Sequence, residues 1–78
     1  GKAGDLMIDI AKLKNEDIGR WVFYTPFCGG SVEKGRIKSW NEKWIFVVYL
    51  CNDEWDSFQD YTGQATNPED LRFVNKVI

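Results

Sequence analysis

The sequence predicts an all-β fold, a small curled barrel of four or five short strands. Runs of β-branched and aromatic residues, which favour strands, are separated by polar or glycine-containing turns every eight to twelve residues. The chain has only 78 residues, so a second core is excluded. Closing the sheet into a barrel would leave little unpaired strand edge to aggregate.

We expect a single domain over residues 7–78. Residues 1–6, which open with Gly-Lys-Ala-Gly, are interpreted as a mobile lead or a remnant of an expression vector. Between Leu6 and Leu13 the apolar residues fit both a helical and a strand pattern. Periodicity therefore leaves the secondary structure of this stretch open.

Three strands are predicted in the first two thirds of the chain. The first covers residues 20–25 and ends at Pro26, which cannot donate to a central ladder. The second, residues 32–40, is mostly polar, and Gly35 within it indicates a bulge or a close backbone approach. The third, residues 44–51, is apolar on both faces and is therefore predicted to lie centrally.

The last third of the chain carries weaker signals. Aromatic residues recur every third position within residues 55–62, as in a helical turn, but a short strand or bent segment is predicted there. The motif Asn-Pro-Glu-Asp at residues 67–70 is typical of a helix start, with a capping Asn and a Pro at the first helical position. It predicts one 3₁₀ turn, followed by a short last strand over residues 71–74.

Composition excludes several kinds of function. A net charge of −2 argues against bulk nucleic acid or an anionic membrane as the main partner. The chain has no histidine, the commonest general base and metal ligand. Cys28 and Cys51 are expected to be free thiols, because small oxidised domains carry more cysteines. We predict no catalytic residue, metal or cofactor, no membrane span, and a cytoplasmic location.

Basic residues are concentrated on the second strand. Lys34, Arg36 and Lys38 alternate, so a strand would point all three the same way as a basic stripe, which Trp40 would continue. One interpretation is a face that tracks phosphates or an acidic partner, with a stacking ring at its end. The other, which we favour, is a solvated strand face whose lysines keep an edge soluble.

Acidic residues are concentrated further along the chain. Residues 52–71 contain six acidic residues and no basic residue. They could coordinate a hard cation, but the fixed Gly and terminal Glu of an EF-hand loop are absent, so a solvated turn is favoured. The negative potential could also select a basic partner or mimic nucleic acid.

Three segments resemble SH3-like small barrels of the KOW and Tudor kind. The resemblance consists of a Gly-led first strand, a Gly-x-Ile second strand and an apolar third strand, at residues 18–24, 33–40 and 44–49. The pattern continues through residues 55–71 and is similar to small uncharacterised proteins of bacteriophages and prophages. The resemblance implies a five-stranded SH3-like barrel with a short 3₁₀ turn near the C-terminus. It brings no established activity, and the acidic first-loop cluster and paired-tyrosine motif of proline-binding SH3 domains are absent.

Tudor-type barrels also suggest a cage of aromatic rings around a methylated cation. So small a domain needs aromatic residues to fill its core, and core placement is favoured for Phe46 and Phe58. Trp40 and Trp55 lie beside polar turns, where an exposed contact is equally expected. The aromatic residues considered for the cage are Trp40, Trp44, Phe46, Tyr49, Trp55, Phe58 and Tyr61.

The predicted function is a non-enzymatic binding module, an accessory protein of phage type that contacts a host or phage protein in the bacterial cytoplasm. The alternative is a KOW-like nucleic-acid contact through Lys34, Arg36 and Lys38. No oligomeric state is predicted. The candidate binding residues are Arg36, Lys38, Trp40, Trp55 and Tyr61.

Overall fold

The chain forms one antiparallel five-stranded sheet. A computed structural model describes residues 8–26 and 29–74. The strands follow the order β4-β3-β2-β1-β5, so β2 is central and the all-β prediction is confirmed. The strands are β1 Trp21–Tyr24, β2 Glu33–Trp40, β3 Ile45–Val48, β4 Gln64–Thr66 and β5 Leu71–Phe73.

Among the described residues, two short 3₁₀ helices precede β1, and two others lie between β3 and β4 and between β4 and β5. The last one, η4, has its predicted cap, because the Asn67 side chain accepts a hydrogen bond from the Glu69 N–H at 2.9 Å. Near the start of the described chain, Ile8 is buried and Ile10 packs against the core around it. The 3₁₀ helices are η1 Ile10–Lys12, η2 Asn15–Asp17, η3 Trp55–Asp60 and η4 Pro68–Asp70.

Of the two alternatives predicted for residues 55–62, the short strand is wrong. Residues 55–60 form η3, which is kinked at Ser57, and the fourth strand is Gln64–Thr66. The recurrence of aromatic residues every three positions was the correct signal, because it turns Phe58 and its neighbours toward the sheet. The third strand is shorter than predicted and ends at Val48, before a turn in which Asn52 and Asp53 have positive φ.

β2 belongs to two halves of the sheet. Its first part pairs with β1 and its second part pairs with β3, and both pairings include Arg36. The register with β3 shifts between Ile37 and Ser39, which makes the strand irregular there. Gly35 lies two residues before the irregularity. A Cβ there would stand 2.6 Å from Val47 Cγ1, so Gly35 serves the predicted close approach and is not the bulge.

Hydrophobic residues form two clusters on opposite faces of the sheet. Successive side chains of β3 point to opposite faces, so Val47 belongs to the first cluster and Val48 to the second. Cys51 is a buried free thiol, whereas the predictions for Cys28 and for residues 1–6 lie outside the described residues. The first cluster consists of Ile8, Val22, Ile37, Ile45, Val47 and Leu71, and the second of Val48, Cys51 and Phe58.

Candidate functional site

Two cations of the predicted basic stripe are bound to the protein's own backbone. Arg36 Nε donates to the Gly19 carbonyl at 2.7 Å, and its Nη1 donates to the Trp55 carbonyl at 2.9 Å. Lys38 Nζ donates to the Tyr61 carbonyl at 2.6 Å. Both side chains are half-buried. These hydrogen bonds therefore hold both ends of η3 against the sheet. A phosphate group could bind either cation only by competing with them.

Aromatic rings surround the Arg36 guanidinium. Its Cζ lies 4.5 Å from the Phe58 ring centroid and 5.3 Å from that of Trp21. Trp21 in turn packs on Trp55, with 4.8 Å between centroids and 55° between ring planes. Lys34 is exposed, and its Nζ lies 5.0 Å from the Trp21 centroid. Of the three stripe cations, Lys34 is the one that faces solvent.

The other predicted binding residues lie on two sides of the sheet. Trp40 packs against the first hydrophobic cluster, because the register shift in β2 reverses the alternation of its side chains. Trp40 therefore does not continue the stripe. Trp55 and Tyr61 pack against the second cluster, near Arg36 and Lys38. The use of these residues in binding stays a prediction.

An open groove lies beside Trp44, on the side of the molecule away from Lys34. It consists of two cavities, of about 660 and about 430 Å³, both lined by Trp44 and Asn67. The first lies between Ile8, Glu42 at the β2–β3 turn, and Pro68 of η4. Trp44 is 36% exposed, which leaves part of its indole open to a partner.

Local hydrogen bonds fix the walls of this groove. The Asn41 side-chain oxygen accepts from the backbone N–H groups of Lys43 and Trp44, each at 2.7 Å. This turn presents Trp44 at the start of β3. On the opposite wall, Ile8 N–H donates to the Pro68 carbonyl at 3.3 Å. The groove is thus formed by backbone segments that are tied to the sheet or to η4.

The second cavity combines aromatic rings with hydroxyl groups. The rings of Tyr24 and Tyr49 meet edge to face, with centroids 6.0 Å apart. The Tyr49 and Thr66 hydroxyls are hydrogen-bonded at 3.0 Å. Burial, with smaller contributions from the nearby carboxylates of Glu33 and Asp70, raises the pKa of Tyr49 to about 12. The Tyr49 hydroxyl therefore stays protonated at neutral pH.

A smaller acidic cavity lies at the start of η3. Its volume is about 390 Å³, and its lining includes Asp53, Glu54, Asp56 and the side of Trp55. The Tyr61 hydroxyl donates to Glu54, which raises the pKa of Tyr61. Within residues 8–26 and 29–74, no group of three carboxylate or thiol side chains is arranged to hold a metal ion.

The fold and the groove together define a small all-β protein with an open, partly aromatic surface cleft. Comparisons with family models, with curated proteins and with solved structures find no significant match to this chain. Among the described residues, no helix has the length and apolar character needed to cross a bilayer.

Sequence reasoning found part of the groove. Trp44 and Tyr49 were among the aromatic residues considered for a cage, and both line the second cavity. Tyr24, Glu33 and Asp70 were missed. They come from β1, the start of β2 and η4, and only the pairing of β1 with both β2 and β5 brings these elements together. No local pattern in the sequence could have indicated this.

Proposed function

We propose that this protein is a non-enzymatic binding module that holds a segment of a protein partner in the groove beside Trp44. One observation carries the proposal: two adjoining cavities share a partly exposed tryptophan whose position is fixed by Asn41. Tryptophan is enriched among the residues that dominate protein interfaces, particularly where it is held rigidly. An extended segment lying across Trp44 would occupy both cavities.

An SH3-like barrel is part of this proposal. The order of strands supports it, since β5 follows a 3₁₀ turn and returns to pair with β1. The division of β2 between two halves of the sheet supports it as well, because such a shared strand lets a sheet fold over itself. The resemblance to phage and prophage proteins supports an accessory role in the bacterial cytoplasm.

Selection from a displayed library of random extended peptides tests the binding function. We expect wild-type protein to enrich peptides whose affinity falls about tenfold or more in the Trp44→Ala variant, the effect of losing a dominant interface residue. Leu50→Ala is the matched control, because Leu50 is 81% exposed and lines neither cavity of the groove. If no enriched peptide distinguishes the two variants, the groove is not the binding site.

A nucleic-acid contact is the second candidate, at a surface that shares Lys34 with the predicted stripe but replaces Arg36 and Lys38 by Arg72. On the outer face of the sheet, Phe23 pairs with Lys34 on one side and with Arg72 on the other. Arg72 Cζ lies 5.7 Å from the Phe23 ring centroid, and both cations are exposed. A ring between two cations is the arrangement that stacks a base and neutralises its phosphates.

Salt dependence separates this second candidate from the first. Two phosphate contacts on a single strand give a slope of log affinity against log salt of about −1.4. Lys34→Gln should then halve the slope for an oligonucleotide, whereas Lys12→Gln, which lies in the groove, should leave it unchanged. Absence of oligonucleotide binding at low salt would reject the outer face.

A further inference from the structure

We propose that the second cavity, lined by Tyr24 and Tyr49, is a pocket for an arginine side chain of the partner segment. This inference deepens the proposed binding function and rests on it. It names the chemistry that selects the partner: a cationic, planar group at one position of an extended chain.

The charge of the pocket is negative. Glu33 and Asp70 line it, and among residues 8–26 and 29–74 no lysine or arginine does so. Within the described ranges, the one ion pair joins Arg20 and Asp17, so neither carboxylate of the pocket is neutralised by a described cation. Both carboxylates also help to raise the pKa of Tyr49, which lines the same cavity, after the larger effect of burial. An anionic group would be repelled there, whereas a cation would be attracted.

The walls favour a planar cation over a compact one. Tyr24, Trp44 and Tyr49 supply three aromatic rings to the lining. A guanidinium group stacks on aromatic faces and pairs with carboxylates through two parallel hydrogen bonds. An ammonium group is more strongly hydrated and offers no flat face, so the same pocket should bind lysine less well.

The position of Trp44 connects the pocket to the rest of the groove. Trp44 and Asn67 line both cavities, so a side chain inserted into the second cavity, against Tyr24 and Tyr49, would leave its own backbone beside the indole. The following residues of the partner would then continue into the larger cavity near Pro68. The arginine would therefore set the register of the bound segment, while the larger cavity would accept its neighbours.

The test is an NMR titration of the isotope-labelled wild-type protein with the tripeptide acetyl-Gly-Arg-Gly-amide. The matched probe replaces arginine by citrulline, which has nearly the same shape but no charge. We expect saturable shifts at the Trp44 indole N–H and at the amides of Glu33 and Asp70. Citrulline should bind about tenfold more weakly or worse, and the lysine tripeptide several-fold more weakly.

Variants of the protein provide the second half of the test. Glu33→Gln and Asp70→Asn should each weaken arginine binding several-fold, while Asp60→Asn, an exposed carboxylate on η3, should leave it unchanged. Equal binding of arginine and citrulline by wild-type protein would overturn the proposal without depending on any variant. The proposal would also be overturned if the three variants bound the arginine tripeptide equally well, or if wild-type protein bound the lysine tripeptide more tightly.

The outcomes separate this inference from the binding function on which it rests. If library peptides bind in a Trp44-dependent way but tolerate loss of arginine, the pocket assignment fails and the binding module stands. If the tripeptide occupies the pocket but the library yields no Trp44-dependent peptide, the pocket stands and the proposed function of the whole groove fails.

Discussion

Arg36 joins three parts of the chain through one side chain. It donates to Gly19 before β1 and to Trp55 at the start of η3, while its own backbone lies in β2. Arg36→Lys keeps the charge but cannot make both bonds with the same fork geometry, so we expect a loss of about 2 kcal/mol in the free energy of unfolding. Urea denaturation, monitored by tryptophan fluorescence, measures this change in the free energy of unfolding.

Lys34→Gln is the control for that variant. Lys34 is on the same face of β2 but is exposed, and its replacement should change the free energy of unfolding by less than about 0.5 kcal/mol. Similar stabilities of the two variants would mean that the Arg36 hydrogen bonds contribute nothing to folding.

Gly35 is the second residue whose replacement has a predictable cost. An added Cβ would stand 2.6 Å from both Val47 Cγ1 and the Val48 carbonyl oxygen, and the backbone atom cannot rotate away. Gly35→Ala should therefore destabilise the protein by about 1–3 kcal/mol, the usual cost of overpacking. Ser39→Ala, at an exposed site of the same strand, should be nearly neutral. A stable Gly35→Ala variant would contradict the close approach of β3.

At the scale of elements, four of the five strands could be predicted, and β4 could not. β1, β2 and the 3₁₀ turn at Pro68 lie within a residue or two of their predicted positions. β4 has the sequence Gln-Ala-Thr, which shows no apolar alternation, and it is a strand because it pairs with β3. The same limit applies to the groove, whose walls come from elements distant in sequence.

The irregularity of β2 explains why Trp40 does not continue the basic stripe. Strict alternation would put Trp40 on the face of Arg36, but the register shift places it opposite Ile45, which is buried. One inserted residue therefore moves a bulky ring from the outer face to the first cluster. The sequence from Ile37 to Ser39 contains no residue that indicates a bulge. Gly35, the expected signal, instead allows β3 to pack closely against β2.

η3 depends on its aromatic contacts for order. Within η3, Trp55 packs on Trp21, and the Phe58 side chain is buried. Trp55→Ala should remove the first contact and raise amide hydrogen exchange across residues 54–61 about tenfold or more, since one ring contact is worth more than about 1 kcal/mol. The amides of β1 should keep their protection. Uniformly faster exchange throughout the sheet would instead show that η3 and the sheet open together as one cooperative unit.

At the scale of the whole molecule, a net charge of −2 hides two surfaces of opposite sign. Successive residues of a strand point to opposite faces, so Glu33 lines the groove while Lys34 lies on the outer face. Asp70, at the end of η4, also lines the groove, whereas Arg72 in the edge strand β5 lies beside Phe23 on the outer face. If the two proposed sites bind as inferred, these charges direct a basic partner segment to the groove and a phosphate to the outer face.

The groove also gives the whole molecule a dependence on alkaline pH. The pKa of Tyr49 is raised from 10.0 to about 12 by burial, so between these values the folded chain keeps a proton that the unfolded chain has lost. Stability from this group is fully present below pH 10 and is lost as the pH rises toward 12. Because the side chain is only half-buried, we expect a loss of about 1–2 kcal/mol.

Urea denaturation of wild type and Tyr49→Phe across this pH range isolates that effect from the titration of lysines, which both proteins share. The Phe variant loses the hydrogen bond to Thr66 and should be less stable by about 1 kcal/mol at neutral pH. Its stability should then fall less steeply above pH 10, so the two curves converge. Parallel curves would mean that Tyr49 ionises as readily in the folded chain as in the unfolded one, and that the cavity is open to water.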